Sequence, residues 1–305
     1  MPADEFGVRA EMRRILASCR EGALPPNVAL MQLAMAADSE SSFLATVGAA
    51  LDELEDECAS SGEPLAELRS LAGASPDLWR LVQSVISSLP AETETHRNLD
   101  ATLSSWAAAF DRAVAVSPEA SVALYALGRS DVLDAATREV VDDMDRSGLL
   151  GKGRKLLDIG CGVGRFELAL AGKVERIQGI DISPAMIEAA RLRCVGFANV
   201  DFALYSGKNL GWLADGSFST TLAIDSFPYV VAASTFLAAQ LFREVARVLE
   251  RGGDFYLVNY SYGSDLAIEA MEVEGLARET GFHALRSGDR PFRHWDGRVF
   301  HLSKA

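Results

Sequence analysis

Lys155-Leu156-Leu157-Asp158-Ile159-Gly160-Cys161-Gly162-Val163-Gly164-Arg165-Phe166 reads as strand, glycine turn and helix, and the rest of the chain is arranged about it. Leu156, Leu157 and Ile159 suit a strand buried on both faces. Glycine at 160, 162 and 164 removes the side chains that would keep a ligand from the backbone. Helix resuming near Arg165 leaves free N–H groups and the positive end of a helix dipole facing the turn, which suits an anionic or polar group.

A second signal follows in Ile177-Gln178-Gly179-Ile180-Asp181-Ile182-Ser183-Pro184. Asp181 would end the next parallel strand, where a carboxylate can accept hydrogen bonds from both hydroxyls of a ribose. Turn and acid together describe a nucleoside site. The dinucleotide fingerprint needs glycine at its first, third and sixth positions, and here the sixth is Arg165, which argues against NAD.

Leu156–Phe166 with Gly179–Ile187 resembles the first two motifs of the class I S-adenosylmethionine-dependent methyltransferases, in which an acidic residue, here Asp158, precedes Gly-x-Gly-x-Gly. The resemblance continues through Asp215-Gly216-Ser217-Phe218 before a strand, and through Leu241–Leu249 into Arg251-Gly252-Gly253 and another strand. It covers roughly residues 115–305 with order and spacing preserved.

Composition narrows the function classes. Of 305 residues, 49% are hydrophobic and 24% charged, as in an ordinary globular protein of one large or two smaller domains. A formal charge of −14 repels nucleic acid, and no basic run offsets it. Cys19, Cys58, Cys161 and Cys194 show neither Cys-x-x-Cys nor a His-bearing metal spacing, so no metal and no disulfide framework is expected, and the scatter suits a reducing cytoplasm. No membrane span and no leader is expected either.

From Glu5 to about Ser147 the signals are helical. Asn27 before Val28, Pro64 before Leu65 and Ser75-Pro76 before Asp77 read as caps or first-turn prolines. Leu78, Leu81, Val82, Val85 and Ile86 form one buried stripe. The acidic run Asp52–Glu57 reads as a solvated helix face. A longer helix is expected over Glu92–Val114, and Ser117-Pro118-Glu119 should cap another over Ala120–Leu127. The division expected is a helical domain over 1–114 and a cofactor domain over 115–305, with lid helices at 115–147 as the resemblance implies.

Strands near 156–159, 177–181, 198–203, 220–225 and 254–260 alternate with helices, which gives a parallel sheet with the ligand at its carboxyl ends. Phe282–Leu285 and Arg298–Ser303 have no crossover helix between them and should close the sheet as an antiparallel pair, with Asp296-Gly297 in the turn before the last strand. The fold expected is α/β: a Rossmann-like, mostly parallel seven-stranded sheet with helices on both faces and an antiparallel C-terminal strand, preceded by an all-helical region.

The resemblance assigns Asp158, Gly160, Cys161, Gly162 and Gly164 to the methionine end of the cofactor. It assigns Asp181 to the ribose, and Ile182 and Met186 to the adenine. Cys161 itself reads as a small residue between glycines, not as a nucleophile. After the third strand many relatives carry an acid for the adenine amine; this chain has Leu204–Leu210 there, and Ser206 or Asn209 can accept instead. Tyr125, ahead of the first strand, is either a lid contact to the cofactor or a buried aromatic. Asp225-Ser226-Phe227-Pro228-Tyr229 reads as a substrate-facing loop. In it Asp225 either holds the cofactor amine or acts on the substrate, and Phe227 and Tyr229 are candidate substrate contacts, as is Tyr262 after the fifth strand. No histidine falls at a position that the resemblance marks as catalytic.

The expected reaction is direct methyl displacement from S-adenosylmethionine onto a small-molecule oxygen or nitrogen, ahead of carbon, leaving S-adenosylhomocysteine. Alignment supplies much of such a rate, and a base is needed only for an unactivated acceptor. The rivals are a nonmethylating use of the same cofactor and a silent scaffold acting through the helices. For the helical region, an entrance restriction, a homodimer contact and a partner site all remain open.

Overall fold

The structure, a computed structural model, describes residues 3–56, 63–90, 98–263 and 265–305. The side chains of the acidic run Asp52–Glu57 lie outside the described residues, as does the start of the helix expected from Glu92. The chain forms two compact units: residues 1–89, 112–136 and 292–296 in the first, and 90–111, 137–291 and 297–305 in the second. The partition differs from the expected division at 114/115, because part of one helix goes with the sheet and a late loop goes with the helices.

The helices in chain order are α1 Ala3–Arg20, α2 Pro26–Ala36, α3 Glu40–Asp56, α4 Glu63–Gly73, α5 Leu78–Ile86, α6 Leu99–Val116, α7 Pro118–Val122 and α8 Ser130–Arg146. They continue as α9 Arg165–Leu170, α10 Pro184–Arg193, α11 Phe227–Ala233, α12 Thr235–Val248 and α13 Leu266–Thr280. The strands are β1 Gly151–Ile159, β2 Val174–Asp181, β3 Val200–Leu204, β4 Phe218–Ile224, β5 Leu249–Val258, β6 Phe282–Asp289 and β7 Val299–Lys304.

In the first unit, Leu78, Val82 and Val85 of α5 are buried, as their helical spacing requires. Asn27 is not a cap: Pro25 holds that position and Pro26 opens α2. Asn27 instead sits inside the helix, 2% exposed. Its amide donates to the carbonyls of Tyr125 at 3.0 Å and His294 at 2.7 Å. Those bonds, with Tyr125 stacked on Trp295 at 5.1 Å, tie residues 292–296 to the helices. Ser117 caps α7 as expected, accepting from the Ala120 N–H. That helix is shorter than Ala120–Leu127 implied and gives way to a 3₁₀ turn at Leu124–Ala126.

The second unit is a seven-stranded sheet in the order β3-β2-β1-β4-β5-β7-β6. The first five strands pair in parallel, and β7 runs antiparallel between β5 and β6. The fold is thus the Rossmann-like α/β arrangement that the sequence implied, and the helical N-terminal region precedes it. Order reverses between β1 and β4, which opens a crevice at their carboxyl ends, where the glycine turn lies. Leu157, Ile159, Ala223, Phe227, Phe242 and Phe255 belong to the core on one face of the sheet. Leu103 of α6 joins that core, which explains why residues 90–111 go with the sheet. No helix among the described residues is long and apolar enough to cross a membrane.

Candidate functional site

The turn takes the conformation its glycines allow, with φ of 80° at Gly160, 52° at Gly162 and 74° at Gly164. At Gly160 the requirement is steric as well. A Cβ there would lie 2.3 Å from that of Ser226, whose hydroxyl donates to the Ile159 carbonyl and clamps β1 to the segment after β4.

Asp181 ends β2 and holds the turn. One carboxylate oxygen accepts from the Gly162 N–H at 3.0 Å and the other from the Ser183 N–H at 2.9 Å. Burial pushes its pKa up to about 6 against the pull of those bonds. Ser183 caps α10 through the Met186 N–H and donates to Asp111 of α6 at 2.5 Å. Asp111 also accepts from the Ala185 N–H. No local pattern marks Asp111, because nothing in the sequence relates α6 to the start of α10. Met186 is buried and Ile182 half-buried beside this cap.

Beneath the turn lies a carboxyl pair that sequence reasoning half missed. Asp158 is 1% exposed and Glu167, in the first turn of α9, fully buried. Apart from each other and the Glu167 backbone, neither meets a hydrogen-bond partner. Burial is the main cause that raises Asp158 to about 7, opposed by its bond to Glu167 and by the charge of Arg165. Burial and the Asp158 charge hold Glu167 well above the usual carboxylate range. Two such groups in contact share a proton. In α9 it is Leu168, next to Glu167, that is exposed.

Cys161 is buried, and burial followed by the charges of Glu167, Asp181 and Asp158 raises its thiol well above the ordinary value, so it is no thiolate. Ser206 and Asn209 are exposed and spend their oxygens on their own loop, accepting from the Lys208 and Gly211 N–H groups. Both line a cavity of about 270 Å³ with Ala203, Leu204, Tyr205 and Trp212. Tyr205, which the sequence did not single out, donates its N–H to the Asp181 carbonyl, and burial, followed by the charges of Asp181 and Cys161, raises its hydroxyl pKa. Tyr125, expected as either a lid contact or a packed aromatic, is buried in the first unit and stacked on Trp295, which is the packing alternative.

After β4 the loop expectation needs correction. Phe227 opens α11 and is fully buried in edge contact with Phe242, so it is core and not a substrate contact. Pro228 was the one start signal for this short helix. Asp225 and Asn259, at the ends of β4 and β5, both take left-handed backbone, φ 60° and 61°. That conformation costs a non-glycine residue about 1 kcal/mol or more. The Asn259 amide donates to Asp225 Oδ1 at 2.8 Å and the Tyr262 hydroxyl to the same oxygen at 3.0 Å. Tyr229 lies within about 6 Å of Trp106, Phe110 and Tyr262, ring to ring.

Comparison with known proteins agrees with this geometry. Residues 156–253 match the family model described as a methyltransferase domain. Over 110 residues the chain is 34% identical to the demethylmenaquinone methyltransferase of Tropheryma whipplei strain Twist, covering 36% of this chain and 43% of that protein. Over 102 residues it is 30% identical to the ubiquinone biosynthesis O-methyltransferase of Thiobacillus denitrificans, covering 33% and 42%. The chain thus spans less than half the length of these curated relatives. Among solved structures, it is similar to the magnesium protoporphyrin IX methyltransferase of Synechocystis with bound S-adenosylmethionine, at 20% identity and a TM-score of 0.45, over 57% of this chain and 81% of that one. Strand order, glycine turn and family match make residues 156–253 a methyltransferase domain of the class I type. The cofactor of that class is S-adenosylmethionine.

Proposed function

We propose that the protein transfers a methyl group from S-adenosylmethionine to an oxygen or nitrogen of a small molecule. The observation that carries this reading is the bond from the Gly162 N–H to Asp181 Oδ2, which fixes a carboxylate against a side-chain-free turn at the sheet's switch point. The residues fit the cofactor's chemistry. Asp181 has acceptor capacity left for ribose hydroxyls, because each carboxylate oxygen takes more than one donor. Asp158 and Glu167, which share a proton, leave at most one negative charge behind the turn, which suits a sulfonium or an ammonium. Ile182 and Met186 offer an apolar surface for the base, with Ser206 and Asn209 at its rim. When bound, the cofactor supplies an electrophilic methyl on a good leaving group, and the chain's task is to hold and orient the two reactants.

The small-molecule acceptors named for the relatives are consistent with an acidic chain that carries −14 of formal charge and would repel nucleic acid. The test is calorimetric titration of the full chain with S-adenosylmethionine, S-adenosylhomocysteine and NAD. Binding of the first two without the third, lost in Asp181→Ala, is expected. Absence of binding by either sulfur nucleoside would overturn the reading.

A further inference from the structure

The carboxyl ends of β4 and β5 hold a second cluster of polar and aromatic side chains. Asp225, Asn259 and Tyr262 converge there, with Tyr229 of α11 and the aromatic rings of α6 against them, all within the second unit. Its backbone is costly and over-determined. Asp225 donates its N–H to the Val258 carbonyl, and Asn259 exchanges hydrogen bonds with the Arg298 backbone through both its N–H and its side-chain oxygen. The loop below Tyr262 is pinned by Glu269, which accepts from both the N–H and the hydroxyl of Ser261 and pairs with the buried Arg298. Strain of this kind persists where the surroundings enforce it, and it gathers at sites of action.

We propose that Asp225 and Tyr262 form the acceptor subsite, and that it takes a planar molecule bearing a neutral hydroxyl. The proposal rests on the cofactor reading above and goes beyond it by naming the acceptor. Tyr262 is 61% exposed while its hydroxyl turns in onto Asp225, so it offers a face for a flat ring to stack on and an oxygen that can accept. The hydrogen bond to Asp225 keeps the proton on this phenol, so it passes a proton on without being an anion at rest. In the reaction the acceptor O–H breaks, and its oxygen uses a lone pair to bond the methyl carbon. The electron pair of the broken carbon–sulfur bond stays on sulfur. The proton goes to Tyr262 Oη as the Tyr262 proton goes to Asp225 Oδ1. A protonated amine fits poorly. It has no lone pair to give until it loses a proton, and a carboxylate is a far weaker base than an amine. An anionic acceptor is repelled by Asp225.

The test supplies the full chain with S-adenosylmethionine and follows methyl transfer to catechol and, separately, to benzylamine. Catechol should be methylated at least about tenfold faster than benzylamine, and both Tyr262→Phe and Asp225→Asn should slow that transfer by about tenfold, with S-adenosylhomocysteine affinity unchanged. The assignment is overturned if benzylamine is methylated as fast as catechol, if protein that binds S-adenosylhomocysteine does not methylate catechol, or if neither variant slows the transfer. Weakened S-adenosylhomocysteine binding in Asp225→Asn would move Asp225 to the cofactor side and overturn it too. Failure of the unaltered chain to bind S-adenosylhomocysteine is a different result, and it removes the cofactor reading itself.

Discussion

The second unit holds its acids in two contrasting ways. Around the glycine turn, Asp181 is satisfied by backbone N–H groups, and Asp158 and Glu167 by each other, all three buried within a stretch of 24 residues, 158–181. At the end of β4, Asp225 is satisfied by the side chains of Asn259 and Tyr262, more than 30 residues away, on backbone that resists the conformation it takes. The first arrangement is local and written in glycines. The second is assembled from separate elements, and its cost is met by the packing around it.

Four experiments break or sharpen this contrast, taken from the largest effect down. Phe227 lies in the core just after β4, so Phe227→Ala should lower stability by about 3–5 kcal/mol in denaturant unfolding, as for other buried aromatic deletions. A loss confined to acceptor binding at unchanged stability would put Phe227 back on the surface of the site. Asp181→Ala removes the acceptor of two backbone N–H groups and should weaken S-adenosylmethionine binding by about a hundredfold in calorimetry, or about 2.7 kcal/mol.

The pH response separates the two regions next. Asp158 and Asp181 are raised in the folded chain, to about 7 and about 6, above an unfolded value near about 3.9. The folded state therefore binds more protons across that interval. The two groups' contribution to stability is full at the acid end and is lost as pH rises from about 4 to about 7. The midpoint of thermal unfolding should follow that slope, and Glu167→Gln should flatten it, because the amide gives Asp158 a permanent donor. An unchanged slope in the variant would mean that the pair does not share a proton. The smallest effect is expected from Asn259→Ala, which deletes one bond to Asp225 and one from the Arg298 N–H, at a cost of about 1–2 kcal/mol in unfolding and with S-adenosylhomocysteine affinity intact.

The legible part of the molecule was the part governed by short-range rules. Alternating strands and helices, the Asp158–Phe166 turn, Asp181 at a strand end and the Ser183-Pro184 helix start all follow from residues within a few positions of one another. Glu167 escaped because a carboxylate in a first helical turn is ordinarily solvated, and only the approach of β2 at Gly179, where a Cβ would lie 2.6 Å from Glu167 Oε1, shows that this one is enclosed. Asp111 escaped because its partners are more than 70 residues distant. Phe227 misled because an aromatic before proline looks the same in a loop as in the first turn of a short buried helix.

By itself, the sequence determined the sheet and its glycine turn, because periodicity and backbone freedom are properties of neighbouring residues. It also determined which acid stands beside that turn. Only the tertiary structure decided the proton-sharing pair below the turn, the placing of α6 residues against the sheet, and the gathering of Asp225, Asn259 and Tyr262 at one edge. Those depend on which side chains meet across long stretches of chain, and burial and hydrogen bonding act only once they have met.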